Sequence, residues 1–234
     1  MVRSWQLWLS PRPLVRTDTS HEPAILAAND AARFEFLQEG NRWVVQETHY
    51  IDNPIARKGL SGPQLHIHLR QTEFFQVQQG VLGIYKNETE HVLTKADGIV
   101  RVPAGTRHRF FVHATSTDDV VFRVWADPQD LDHSFDENFL RNFVGYLRDC
   151  QRLDIAPSPL QIILFGMNSA TVPCLPFWVP IWILRAVAYV LAYWVAEGLL
   201  GYQASYPEYS RRSGNPNRRV NGAAGKGEHD KKRV

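Results

Sequence analysis

His66-Ile-His-Leu-Arg-Gln-Thr-Glu73, with Gly80 closing the same stretch, and Pro103-Ala-Gly-Thr-Arg-His108 are the segments whose reading decides the fold. In an extended strand successive side chains alternate faces, so His66 and His68 project to the same side. A tight turn at Gln71-Thr72 lets Glu73 begin the neighbouring strand and approach the same point. His108 arrives from a distant strand, set up by the rigid Pro103-Ala-Gly105 turn. Buried unpaired, three imidazoles and a carboxylate would cost several kcal/mol of desolvation, a cost that a bound cation removes. Such a donor set suits a first-row divalent ion, at bonds of about 2.0–2.2 Å. The expected metal ligands are therefore His66, His68, Glu73 and His108. Glu73 is also the expected catalytic residue, able to move a proton.

Around these segments lies a dense series of short runs rich in Val, Ile, Phe and Tyr. They are Arg33–Leu37, Arg42–Ile51, Gln64–Arg70, Glu73–Gln79, Val81–Lys86, Glu90–Thr94, Ile99–Val102, His108–Val112 and Val120–Trp125. Turn residues such as Glu39-Gly40-Asn41, Ser61-Gly62-Pro63 and Asp97-Gly98 separate them. Many short strands without long helical patterns between them predict an antiparallel sandwich or barrel. The absence of an internal repeat excludes two tandem barrels.

The period changes after Pro128. Phe135, Phe139, Phe143, Leu147 and Cys150 recur at helical spacing, with Ser134 as N-cap and Glu137 completing a capping box. A second helix is expected from Ser158-Pro159 and a third, strongly apolar, from Pro180 to about Leu200. The chain therefore divides into an N-terminal arm (1–30), a β-barrel (31–127), C-terminal helices (128–205) and a disordered basic tail (206–234). Pro11 and Pro13 interrupt the N-terminal apolar residues before a signal-sequence core develops.

The hydrophobic segment 177–200 has one charge, Arg185, in its first nineteen residues. As a helix it would be about 30 Å long, the thickness of a bilayer core. Trp178, Trp182, Tyr193 and Trp194 resemble interfacial anchors. Two readings stay open: membrane contact through 177–200, or packing on the barrel or in a homodimer. The chain is accordingly expected to be cytoplasmic, with membrane association as the variant.

The formal net charge of +2 conceals an asymmetry. Residues 211–234 hold eight Lys/Arg against Glu228 and Asp230, a net +6, which leaves −4 on the rest. A mildly acidic body argues against nucleic acid as a partner. With two cysteines, Cys150 and Cys174, there is no disulfide framework, and a reducing compartment fits better.

The spacing of His66, His68, Glu73 and Gly80, and of Pro103, Gly105 and His108, resembles the two motifs of the cupin superfamily. The match spans roughly residues 31–127. It departs at Val112, where the family carries Asn, and at Asp97, with Gly98 one place late. The resemblance implies a mainly β fold, a single antiparallel cupin barrel of the double-stranded β-helix or jelly-roll kind, followed here by C-terminal α-helices. The stretch Phe135–Tyr146 and the ending Gly201-Tyr-Gln-Ala-Ser-Tyr-Pro-Glu-Tyr209 look like fungal stand-alone cupin-domain oxidoreductases of specialised-metabolite pathways. That resemblance implies a metal-dependent oxidoreductase or oxygenase acting on a small hydrophobic molecule, such as a polyketide-derived aromatic. The ion would be Fe, Mn, Zn or Ni. A metal-dependent lyase or isomerase is the alternative, and a non-enzymatic ligand-binding cupin the third reading.

Strand parity turns Gln64, Phe75, Val77 and Phe110 inward, and these are expected to line a substrate pocket. Arg101, Arg123 and Trp125 are further candidates for holding an anionic or aromatic substrate, as is Arg70. His49, His91, His113 and His133 read as structural histidines.

Overall fold

A computed structural model describes residues 3–129, 131–175 and 178–210. The alternating runs form β2 (Ala32–Glu39), β3 (Arg42–His49), β4 (His66–His68), β5 (Thr72–Gln79), β6 (Leu82–Lys86), β7 (Thr89–Leu93), β8 (Ile99–Val102), β9 (His108–Val112) and β10 (Val120–Asp127). Two more strands come from outside 31–127: β1 (Ala24–Ala27) and β11 (Thr171–Pro173). The strands assemble into two antiparallel sheets, ordered β1-β2-β3-β10-β5-β8 and β11-β4-β9-β6-β7. Side chains from both sheets fill the space between them, among them Val45, Phe75, Phe122 and Val124 from the first and Leu82, Ile84, Phe110 and Val112 from the second. Each large apolar side chain buried this way stabilises the fold by roughly 1.5–3 kcal/mol. The arrangement is a jelly roll followed by helices, as the sequence implied.

The helices are short α1 (Ser4–Leu9) and α2 (Pro54–Arg57), then α3 (Glu137–Arg152), α4 (Pro159–Asn168) and α5 (Ile181–Tyr189). α3 begins two residues later than Ser134 suggested. Asp136 is its N-cap, its side chain accepting from the Phe139 N–H at 2.7 Å, whereas the buried Ser134 hydroxyl has no partner among the described residues. A carboxylate accepts that bond more strongly than a hydroxyl and also favours the positive helix terminus. Leu140 and Val144 of α3, with Phe135 ahead of it, join the core between the sheets, so this helix covers one end of the sandwich.

The N-terminal stretch is not a loose arm. β1 pairs with β2 along Ala24–Ala27, and the buried Arg12 and the Arg16 guanidinium stack over the Tyr202 and Tyr206 rings at 3.6 and 3.7 Å. Residues 206–210, assigned to the tail, are packed as well. Tyr206 and Tyr209 are buried, and the Tyr209 hydroxyl donates to Asp149 at 2.6 Å. Aromatic bulk drives this: four rings (Tyr146, Phe165, Tyr206, Tyr209) and Cys150 form a core of their own beneath α3. The rest of the expected tail, 211–234, lies outside the described residues.

α5 continues into a π-type helix, Val190–Leu199, and together they are long and apolar enough to cross a membrane by length and composition. One face is docked: Ala192, Ala196 and Leu200 pack with Leu164 of α4, and Leu184 and Ala188 pack with Val172 of β11. A spanning orientation would carry α4 and β11 into hydrocarbon with it. The opposite face leaves Trp182 and Trp194 about 70% exposed, as is Trp178 just ahead of α5.

Candidate metal centre and substrate cavity

His66 lies directly opposite His108 in the β4–β9 pair, and His68 follows two residues along on the same face of β4. Glu73 comes from β5, in the facing sheet. The four ligand atoms lie within 4.8 Å of one another. Donors about 2.0–2.2 Å from a shared ion are separated by at most about twice that length, so the cluster is near the size a divalent ion requires.

The outward side of each imidazole is held by a protein oxygen. His66 Nδ1 donates to the Gln64 carbonyl at 2.8 Å and His108 Nδ1 to the Thr106 carbonyl at 2.9 Å. His68 Nδ1 sits 3.0 Å from the Thr171 hydroxyl oxygen. That hydroxyl donates onward to the Ser169 carbonyl, which leaves its oxygen to accept from His68. Each ring is thereby fixed in the tautomer that turns an Nε2 lone pair to the centre, an arrangement usual behind metal-bound histidines. Inside, His66 Nε2 and His68 Nε2 are 3.3 Å apart, and Glu73 lies 2.7 Å from His108 Nε2 and 3.6 Å from His68 Nε2.

The charges follow from this crowding. Burial holds the His66 pKa well below its ordinary value, and the neighbouring His108 and His68 add to the effect. Burial alone would raise Glu73, but the His68 charge and the bonds to His108 and His68 outweigh it and keep the carboxyl ionised. Burial opposes protonation of His108 too, yet its bond to Glu73 raises its pKa. Three imidazoles and one carboxylate, buried or nearly so, with lone pairs converging, form the donor set a divalent cation satisfies.

Long-range contacts set this geometry. The Gly105 N–H donates to the His68 carbonyl at 2.8 Å, tying the Pro103–Gly105 turn to β4. β11 clasps the other edge of β4 through Thr171↔His68 and Pro173↔His66. Gln71, buried in the turn before Glu73, receives the Phe135 N–H at 2.6 Å and donates to the Pro128 carbonyl at 2.9 Å, locking that turn to the approach of α3.

A cavity of about 330 Å³ opens onto the cluster, and His66, His68 and Glu73 line it. Its walls are apolar: Phe34 and Phe110 from the sheets, Leu65 from the loop before β4, and Phe135, Phe139, Leu140, Phe143 and Val144 from α3 and its approach. Small-molecule sites have this size and character. Of the expected substrate contacts, Gln64 and Phe110 line it. Phe75 and Val77 point inward but are buried in the core, where Phe75 meets Phe110 edge-on. Arg101, Arg123 and Trp125 are not at the cavity. Arg101 is exposed; Arg123 pairs with Glu39 at 2.7 Å; Trp125 stacks on Phe74 with Arg42 over its ring. On β10 the inward positions are Phe122, Val124 and Ala126, so period-two alternation puts Arg123 and Trp125 on the outer face. Arg70 is likewise exposed and donates to the Asp132 carbonyl.

The cavity also contains polar residues that the spacing of the metal ligands did not reveal. Glu47 of β3 lines it, 2% exposed, and accepts from His49 Nε2 at 3.0 Å. His49 Nδ1 lies 2.6 Å from the hydroxyl of Ser61, another lining residue. His49 itself stands behind the cavity wall, holding the two lining residues Glu47 and Ser61. The available signal was the alternation in Val45-Gln-Glu47-Thr-His49, which puts a carboxylate and an imidazole on the inward side of a barrel strand.

Two facing antiparallel sheets with three histidines and a glutamate converging between them are the arrangement that the resemblance to cupins implied. No family model matches the sequence. The chain is 55% identical over 215 residues to "Probable oxidoreductase virH" of Hypocrea virens, covering 92% of this chain and 98% of that one. It is 49% identical over 206 residues to "Oxidoreductase iacF" of Pestalotiopsis fici, covering 86% of this chain and 100% of that one. A solved cupin-superfamily sugar phosphate isomerase from Silicibacter pomeroyi overlays half of this chain and 71% of its own at 26% identity, with a TM-score of 0.33. The chain belongs to the fungal oxidoreductase family of virH and iacF, and it is an enzyme of oxidoreductase type.

Proposed function

We propose that this protein is a metal-dependent cupin oxidoreductase, of the oxygenase kind, acting on a small hydrophobic molecule such as a polyketide-derived aromatic of a specialised-metabolite pathway. The observation that carries the reading is the convergence of His66, His68 and His108 Nε2 with the Glu73 carboxylate, every Nδ1 being held by a protein oxygen. These four residues would hold the ion, which when bound supplies a Lewis-acidic centre for a substrate oxygen and, if Fe or Mn, an electron-transfer couple.

The chain's own residues supply the rest. Phe135, Phe139 and Phe143 close the cavity against water, which strengthens polar interactions inside it. Phe110 and Phe34 offer ring faces to an aromatic substrate. Glu73 would take a proton from a substrate hydroxyl through Oε1, the oxygen not bonded to His108.

The enzyme is proposed to work in the cytoplasm. The exposed indoles of Trp178, Trp182 and Trp194 support peripheral contact with a lipid surface, which co-sedimentation with anionic vesicles measures. For the catalytic reading, elemental analysis of untagged protein and oxygen uptake are the tests. Stoichiometric Fe, Mn, Zn or Ni and oxygen-dependent turnover are expected. Equal turnover under strict anaerobiosis would replace the oxygenase with a metal-dependent lyase or isomerase.

A further inference from the structure

The cluster of three histidines and Glu73 accounts for one carboxylate in the cavity and leaves a second, Glu47, without a role. Glu47 is 2% exposed, lines a mainly apolar cavity, and has a single hydrogen-bond partner among the described residues, His49. A carboxylate offers about four acceptor positions, and burying one in apolar surroundings with a single bond is costly. The electrostatics add to the cost, because the charge nearest in kind is that of Glu73 and the two repel.

The support behind Glu47 is rigid. Both nitrogens of His49 are engaged, Nε2 by Glu47 and Nδ1 by Ser61. Its ring stacks on Phe122 at 5.5 Å and meets Phe110 edge-on at 6.3 Å. Both His49 nitrogens are taken up by Ser61 and Glu47, and Glu47 keeps its remaining acceptor positions for the cavity it lines. A carboxylate clamped from behind and open towards a cavity is built to receive a donor from whatever fills that cavity.

We propose that Glu47 is the specificity residue of this enzyme: it accepts a hydrogen bond from a hydroxyl group on the substrate, at a point apart from the oxygen that meets the His66–His68–Glu73–His108 cluster. The substrate class is then a mainly apolar, ring-bearing molecule with at least two oxygen functions, one of them a free hydroxyl. The inference rests on the cavity being the substrate site. Sites that hydrogen-bond a substrate hydroxyl discriminate strongly against analogues without it, because the protein group is left buried and unpaired.

Calorimetric titration with 4-butylphenol and with 4-butylanisole, the same molecule with its hydroxyl methylated, tests it. Wild-type protein is expected to bind the phenol about tenfold or more tighter than the ether. In Glu47→Gln the amide keeps the bond from His49 and presents an NH₂ donor, so the preference should vanish or invert. Glu47→Asp, which retains the charge but shortens the reach, should weaken phenol binding severalfold and leave the ether unchanged. Equal binding of both probes by the wild type, however weak, overturns the proposal. So does a Glu47→Gln preference matching the wild type, or an equal effect of Glu47→Asp on both probes. Metal content, measured on the same samples, should be unchanged in both variants. Its absence from the wild type would count against the metal reading and leave the Glu47 result standing.

Discussion

Thr171 and His68, 103 positions apart, are joined by a 3.0 Å contact between the threonine hydroxyl and His68 Nδ1. A three-residue strand from the helical half of the chain thus sets the tautomer of a residue in the candidate metal centre. Removing such a support typically costs 10–100-fold in metal affinity. Thr171→Val should therefore weaken binding of Mn²⁺ or Ni²⁺ by about that factor in a chelator competition, while Thr171→Ser should retain it. Equal affinities for Thr171→Val and wild type would refute the assignment.

Metal removal should destabilise the fold. A cation that binds only the native state adds about 2.7 kcal/mol when its free concentration is about a hundred times Kd. Dialysis against a chelator is expected to lower the melting temperature, and readdition of the ion to restore it. His108→Ala, which deletes a ligand buried at 1% exposure, should abolish the metal-dependent increment. A melting temperature indifferent to chelator would exclude a resident ion.

Stability should also carry a signature of Glu47. Burial raises its carboxyl pKa, the bond and charge of His49 counter this in part, and Glu73 adds to the rise. A raised carboxyl pKa means the folded chain holds this proton more tightly than the unfolded chain. Its contribution is complete below the ordinary carboxylate pKa of about 4.3 and is lost as pH rises through the folded value. Glu47→Gln cannot lose a proton there. Its stability relative to wild type should therefore increase from about pH 4 upward, measured by denaturant titration. A difference that stays flat or falls with pH would contradict the assignment.

The loop that delivers Ser61 presses hard on β9. A methyl group at Gly62 would run into the Phe110 carbonyl oxygen, and also crowd the Phe110 ring. Overpacking of this kind costs roughly 1–3 kcal/mol, so Gly62→Ala should lower the melting temperature and weaken 4-butylphenol binding together. Unaltered stability would mean the loop has room to retreat.

Much of this protein was legible because strand alternation is a local property. The strand pattern of 32–127 and the inward side of His66, His68 and Phe110 follow from a two-residue period that any stretch of chain displays by itself. Ser158-Pro159 fixed the start of α4 in the same local way, whereas Ser134 lost the capping of α3 to Asp136, two positions away and more strongly accepting. Arg123 and Trp125 were assigned by side-chain chemistry against their own parity, and parity prevailed.

The sequence by itself determined that strands would form and that three histidines and a glutamate would share an interior, since spacing and side-chain type suffice for both. Only the tertiary structure decided that β11 clasps β4, that α3 roofs the cavity and that Glu47, His49 and Ser61 form a second polar point within it. Those contacts join segments far apart in the chain, and such pairing depends on how whole surfaces pack rather than on any local period.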